Sequence, residues 1–253
     1  METSKKTIGI IGGMGSEATS DLFRSIVDQT RAIKDGDHLP VILYNNPSIP
    51  DRSDFILGTG PDPVPFLIES ARKLESWGAD FLIMPCNTAH YFIEDIRKVI
   101  SIPLINMIDE SANWVKEIHP EIKILGLLST LGVYETMIYN KFYKDKELDI
   151  MFPDEQHRQN IMNAIYGDQG IKAGYKKEAA EPVQLAVNQL LDGGARAIIA
   201  GCTEIPLILN YLNIPVPIVN PTRILARKSI EMAGGMIKEG TGLSAQGKTR
   251  DEK

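Results

Sequence analysis

Two stretches decide the fold: Gly78-Ala-Asp-Phe-Leu-Ile-Met-Pro-Cys-Asn-Thr88 and Gly194-Ala-Arg-Ala-Ile-Ile-Ala-Gly-Cys-Thr203. Each opens on a Gly-Ala pair, continues through an apolar run of strand length and ends at a cysteine. Cys86 and Cys202 lie 116 positions apart, and so do Gly78 and Gly194. Beyond each cysteine the chain repeats itself again, as Ile102-Pro-Leu-Ile-Asn106 and Val216-Pro-Ile-Val-Asn220, now 114 positions apart. Upstream, Ile8-Gly-Ile-Ile-Gly-Gly13 is echoed by Ile124-Leu-Gly-Leu-Leu-Ser129. Similarity at so many matched offsets predicts a duplicated unit, hence two lobes.

Within the first repeat the pattern alternates. Thr7 to Gly12 reads as a strand, and the segment from Ser16 has Leu22, Phe23, Ile26 and Val27 at helical spacing. Val41 to Tyr44 follows as a strand, Val64 to Trp77 as a helix, Phe81 to Met84 as a strand and Ala89 to Ile100 as a helix. Short apolar runs alternating with helices of ten to fourteen residues are the pattern of a parallel sheet covered on both faces. The expectation is therefore an α/β fold of two pseudo-symmetric lobes, each a mainly parallel sheet flanked by helices, with an active site in the cleft between them. The expected boundaries are 1–107 for the first lobe, 108–222 for the second, 223–239 for a C-terminal helix returning to the first lobe, and 240–253 for a disordered tail rich in Gly, Ser, Thr and charge. The apolar residues between 22 and 33 read as ordinary core.

With 253 residues the chain is long enough to bury a substantial core. A net charge of −6, with acids and bases intermixed, offers no basic stripe for nucleic acid. No apolar stretch approaches the roughly 20 residues that span a bilayer, and Met1-Glu-Thr-Ser-Lys-Lys6 runs into a strand instead of a cleavable apolar segment. A cytoplasmic protein without membrane partners is expected. Two cysteines are too few for a disulfide scaffold, so they are expected as thiols.

Each cysteine stands at the carboxyl end of a strand, where open α/β sheets bind their ligands, and just before a segment read as helical. Backbone N–H groups at such a start favour a thiolate and attract a substrate carboxylate. A thiol with a pKa of about 8.5 needs only a modest depression to serve as a base, while a protonated partner serves as the acid. One cysteine alone is readily explained as buried packing. Two at equivalent positions of a repeat are not.

Other chemistries fit less well. Gly9, Gly12, Gly13 and Gly15 do not have the G-x-G-x-x-G spacing of a dinucleotide site, and the second strand ends in Asn45-Asn46 where that site needs an acid. Cys86 and His90 are four apart, as zinc ligands can be, but there are only four histidines and no second ligand pair, so His90 reads as a packed or cleft-edge residue. Lys172 in Gly170-Ile-Lys-Ala-Gly174 could carry pyridoxal phosphate, yet a solvated or carboxylate-contacting lysine is the better reading. Tyr166 is as readily packing as substrate contact. No cofactor and no metal is expected.

Met84-Pro-Cys-Asn-Thr-Ala-His90 and Ala200-Gly-Cys-Thr-Glu-Ile205 resemble the two signature segments of the aspartate/glutamate racemase family. Gly9-Ile-Ile-Gly-Gly-Met-Gly-Ser-Glu-Ala-Thr19 and Asn45-Asn-Pro-Ser-Ile-Pro-Asp-Arg-Ser53 are similar to its aspartate racemase branch. The resemblance runs from about residue 6 to 236. It implies a cofactor-independent isomerase that interconverts L- and D-aspartate, with Cys86 and Cys202 as the two catalytic acid/bases. It further implies that Met14 in its glycine-rich turn, Asn87, Thr88, Ala89, Thr203 and Glu204 line the substrate, that Arg52 and Lys172 contact its carboxylates, and that the chain forms a homodimer. Glu204 follows Thr203 as in the aspartate branch, whereas glutamate racemases resemble one another in having His there. Glutamate or broad amino-acid specificity is the nearest alternative reading. A non-catalytic module binding an acidic amino acid is the alternative of another class.

Overall fold

A computed structural model describes residues 5–240, so the expected disordered tail lies, apart from Gly240, outside the described residues. The chain divides into two compact units. One takes in the residues up to Glu110 together with those from Thr222, and the other is Ser111–Pro221.

The first unit holds β1 (Ile8–Gly12), α1 (Ser16–Gln29), β2 (Val41–Asn45), α2 (Arg52–Ile56), α3 (Val64–Ser76), β3 (Phe81–Ile83) and α4 (Ile93–Arg97). Its strands are all parallel in the order β2-β1-β3, and Leu104 adds one bridging residue beside Leu82. The division falls inside α5 (Met107–Ile118). The second unit holds β4 (Ile124–Leu128), α6 (Leu131–Thr136), α7 (Ile138–Lys144), β5 (Asp149–Met151), α8 (Glu155–Tyr166), α9 (Ala180–Asp192), β6 (Ala197–Ala200) and β7 (Ile218–Val219). Its order is β5-β4-β6-β7, again parallel throughout. The fold is thus α/β, with two parallel sheets flanked by helices and the same internal strand order in both units. The matching openings seen in the sequence are the first strands of the two sheets, β1 and β4.

The strands are apolar because both faces are covered. β1 and β6 are buried at every position, and the helices pack stripes such as Leu67, Ala71 and Leu74 of α3 or Val183, Val187 and Leu190 of α9 against them. α10 (Pro221–Met232) and the residues after it lie on the first unit. There the Gln29 side chain donates to the Arg223 carbonyl at 3.1 Å, and Thr30 bridges Ile237.

Two sequence expectations differ from the structure. The segment expected as one helix from Ala89 to Ile100 is a 3-10 turn over Thr88–Phe92 followed by the short α4. There the His90 ring bonds the Cys86 carbonyl, four residues back, at 2.8 Å, while the His90 N–H bonds Asn87 three residues back in the 3-10 pattern. The apolar residues of α1 and of the segment after it also divide. Leu22 and Ile26 are core, whereas Phe23 and Val27 are exposed and Ile33 is 91% exposed.

Candidate active site

In the first unit, register aligns the carboxyl ends of the strands: Gly12 pairs with Asn45, and Ile10 with Ile83. Strand order reverses between β1 and β3, the place at which open α/β sheets bind their ligands. The Gly12–Gly15 turn leaves β1 there and the segment from Met84 to Thr88 leaves β3 beside it. Gly13 has φ +102°, and a Cβ on it would strike the Asn46 main chain, so only glycine fits. Thr19 closes the turn, its hydroxyl accepting from the Gly13 N–H at 3.0 Å and donating to the Gly15 carbonyl at 2.8 Å.

Asp51 caps α2 through the Ser53 and Asp54 N–H groups, which sets Arg52 at the first helical position. The guanidinium turns inward, is 5% exposed, and donates from Nη2 to the Met14 carbonyl at 3.2 Å and from Nη1 to the Pro50 carbonyl at 3.1 Å. Arg52 and the Met14 turn, expected near one ligand, are therefore in contact.

Cys86, Asn87, Thr88 and Ala89 are all buried, and Cys86 belongs to the apolar cluster of its unit. His90 fixes this segment. Its Nε2 accepts the Met107 N–H at 3.1 Å, so the proton sits on Nδ1 and is donated to the Cys86 carbonyl. Burial pushes the imidazole pKa down to about 4, and both ring nitrogens are committed to main chain. Asn106 caps the start of α5, accepting from Ile108 and Asp109.

The second unit repeats the arrangement with different chemistry. Order reverses between β4 and β6, where Ser129 Oγ donates to the Gly201 carbonyl at 2.6 Å. Cys202 follows, 8% exposed, and a turn then leads into a 3-10 helix, Ile205–Tyr211, where an α-helix start was expected. Cys202 Sγ donates to Glu204 Oε2 at 2.9 Å, and Thr203 Oγ1 reaches the same oxygen at 3.2 Å. Glu204 Oε1 takes Lys172 Nζ at 2.6 Å, and that ammonium also lies 5.1 Å from the Tyr166 ring centre. Lys172, Cys202, Thr203 and Glu204 thus form one connected group. Burial, and then the Glu204 charge, push the Cys202 thiol well up, while the Lys172 charge pulls it down. The depression expected from helix geometry is reversed at this cysteine, because desolvation and an adjacent carboxylate outweigh a few backbone N–H groups.

Sequence reasoning missed Tyr134 and Tyr139, both buried and both with hydroxyls raised by burial and by the charge of Cys202 among lesser causes. Tyr134 accepts the Ser129 N–H at 2.8 Å and donates to the Leu127 carbonyl at 3.0 Å, holding the end of β4. Their place after the first strand of the second repeat was the available signal.

A family model described as Asp/Glu/Hydantoin racemase matches residues 11–229, which includes both cysteine segments. The chain belongs to the Asp/Glu/hydantoin racemase family. Among solved structures, this racemase is similar to an aspartate racemase from Picrophilus torridus, 32% identical, with 94% of this chain and 98% of that chain covered and a TM-score of 0.83. A curated relative is the broad specificity amino-acid racemase RacX of Bacillus subtilis (strain 168), 28% identical over 88% of this chain and 96% of that protein. Likeness to a glutamate racemase from Francisella tularensis subsp. tularensis SCHU S4 is of fold alone, at 16% identity and a TM-score of 0.62, with 90% of this chain and 81% of that chain covered. Racemases of this family are isomerases that act on small amino acids. Among the described residues of this one, no helix is long and apolar enough to cross a membrane.

Proposed function

We propose that this racemase interconverts L- and D-aspartate by two-base proton transfer between Cys86 and Cys202, without pyridoxal phosphate, metal or nucleotide. The observation that carries the reading is the equivalent position of the two thiols in a duplicated fold. Each lies just past the third strand of its unit, beside the point where strand order reverses. A thiolate on one face takes the α-proton, and the electron pair left on the α-carbon delocalises into the substrate carboxylate. The S–H of the second cysteine then gives its proton to the opposite face. The product is the enantiomer, and the two cysteines have exchanged protonation states.

The raised proton affinity of Cys202 suits it to begin as the acid. Glu204, hydrogen-bonded to its sulfur, is the acceptor at hand when the reaction runs the other way and Cys202 must act as the base. Main-chain N–H groups beyond each cysteine, with Asn87, Thr88 and Thr203, would hold the substrate carboxylate as charge develops. Arg52, and Lys172 released from Glu204, would supply the charge that selects an acidic side chain. The preference for aspartate rests on the likeness to the Picrophilus torridus enzyme. A broader specificity is the second reading, favoured by the likeness to RacX and by the Lys172 charge being already matched by Glu204.

The test is incubation of L-aspartate with the protein in deuterated water, with no cofactor added, followed by proton NMR and chiral chromatography. The α-proton signal should fade as D-aspartate accumulates, and Cys86→Ser or Cys202→Ser should stop full racemisation. An intact α-proton signal for aspartate, glutamate and neutral amino acids alike would leave a binding module as the better account. Full turnover in either serine variant would remove that cysteine from the chemistry.

A further inference from the structure

We infer that Ser129 and Tyr134 are positioning residues for the reaction, clamping the main chain ahead of Cys202 to the end of β4 and so holding the Cys202 sulfur against Glu204. The inference rests on the catalytic role proposed for Cys202. Gly201, the residue before the cysteine, has both of its main-chain groups bonded to that strand end. Its N–H donates to the Leu128 carbonyl at 2.8 Å, and its C=O accepts the Ser129 hydroxyl at 2.6 Å. A Cβ on Gly201 would strike the Leu127 side chain and crowd the Leu128 carbonyl, so this close approach needs glycine.

Tyr134 holds the donor in turn. Its hydroxyl accepts the Ser129 N–H at 2.8 Å and donates to the Leu127 carbonyl at 3.0 Å, while its ring lies edge-on to Phe152 and 5.6 Å from the Arg158 guanidinium. Ser129 and Tyr134 are both buried, where such a bonded network is rigid and costly to break. Downstream, the Cys202 carbonyl accepts the Ile205 N–H at 3.1 Å. With the main chain tied on both sides, the side chain springs from a fixed point, and its sulfur lies 2.9 Å from Glu204 Oε2.

The duplicated half is the internal control. At the constant offset of 116, Ser129, Tyr134 and Gly201 answer to Gly13, Ala18 and Pro85, which offer no hydroxyl, no ring and no N–H. Cys86 is held differently, by the His90 ring on its own carbonyl at 2.8 Å, and the residue 116 beyond His90 is Pro206. Strands and thiols match while the clamps differ, so the fold itself does not require a hydroxyl clamp. Glu204 answers to Thr88. The clamp and the carboxylate therefore occur together, beside the same cysteine.

Alkylation by iodoacetamide from pH 6 to 10, followed by mass spectrometry in a Cys86→Ser background, reads the Cys202 thiol without needing turnover. In Ser129→Ala the sulfur should draw away from Glu204 and gain water. Its alkylation midpoint should then fall toward the ordinary thiol value of about 8.5, with alkylation at pH 8 faster by about tenfold for each unit moved. In the protein with both cysteines, the same substitution should lower kcat for aspartate racemisation about 10- to 100-fold and change KM far less, as expected when a reacting group is misplaced by about 1 Å. Tyr134→Phe should move both readouts the same way, and Ser129→Thr, which keeps the hydroxyl, should stay near the wild type. Val183→Ala opens a cavity in the buried face of α9 and should lower the thermal midpoint without moving the alkylation midpoint, which separates positioning from loss of stability. If Ser129→Ala does not fold, Tyr134→Phe decides. Folded variants whose alkylation midpoint matches the wild type, or a Val183→Ala protein that shifts equally, would overturn the inference. Absence of turnover in every protein, wild type included, would instead count against racemisation, with the clamp still judged by the alkylation midpoint.

Discussion

Acid should weaken the first unit through His90 before most carboxylates titrate. The imidazole is buried and neutral, with Nδ1 donating to Cys86 and Nε2 accepting from Met107. In the unfolded chain it takes a proton near pH 6.5, and in the folded chain only near 4. Between those values the unfolded state holds more protons, so stability is complete above pH 6.5 and falls as pH drops toward 4. From these two pKa values the loss is about 2 kcal/mol by pH 5 and about 3 kcal/mol by pH 4. The assay is urea unfolding followed by circular dichroism at half-unit steps from pH 7.5 to 4, for the wild type and for His90→Gln. Glutamine is less stable throughout but does not titrate, so its curve should be flatter by that amount. Glu75 and Asp154, whose carboxyls are held low by hydrogen bonds to Ser101 and His157 respectively, lose stability in both proteins as pH falls through their folded pKa values and cancel in the difference. Equal acid losses in the two proteins would show that burial of His90 is not what couples stability to pH.

Three further outcomes are expected. In a Cys86→Ser background, Glu204→Gln should speed alkylation of Cys202 at pH 8 and Lys172→Met should slow it, about tenfold for each pKa unit moved; changes in the same direction would mean that access, not charge, sets reactivity. Gly13→Ala should lower stability by about 2–4 kcal/mol, read as a fall in thermal midpoint, because it combines a left-handed φ with a main-chain clash. Arg52→Ala should cost acidic substrates about 2–5 kcal/mol in kcat/KM and neutral ones far less, whereas equal losses would confine Arg52 to holding the Met14 turn.

Most of the architecture was legible because duplication wrote it twice. Matched offsets around Cys86 and Cys202, with strand-length apolar runs, were enough for two parallel α/β sheets. What escaped depended on partners distant in the chain or on side chains overriding local preference. Nothing in the spacing of Ala89 to Ile100 announces that the His90 ring turns back onto the Cys86 carbonyl. Phe23 and Val27 have helical spacing, but spacing cannot tell a stripe that faces a sheet from one at its edge. The glycine-rich turn was readable from composition, whereas the Asn46 main chain that forbids a Cβ at Gly13 was not. At Cys202 the strand end was foreseen and the direction of its acidity was not, because Glu204 stands beside the sulfur and solvent does not.

The chain from Lys172 through Glu204 to Cys202 has an electrical consequence. An ammonium, a carboxylate and an uncharged thiol sum to nothing, so the end of β6 rests as a neutral assembly whose thiol and carboxylate are buried and whose ammonium faces solvent. Ionising the sulfur alone would strand one negative charge there, while letting Glu204 keep the released proton leaves the total unchanged. Titrations that follow this thiol, by absorbance or by the limb of a rate profile, will accordingly report the charge of the whole assembly and not the intrinsic acidity of the sulfur.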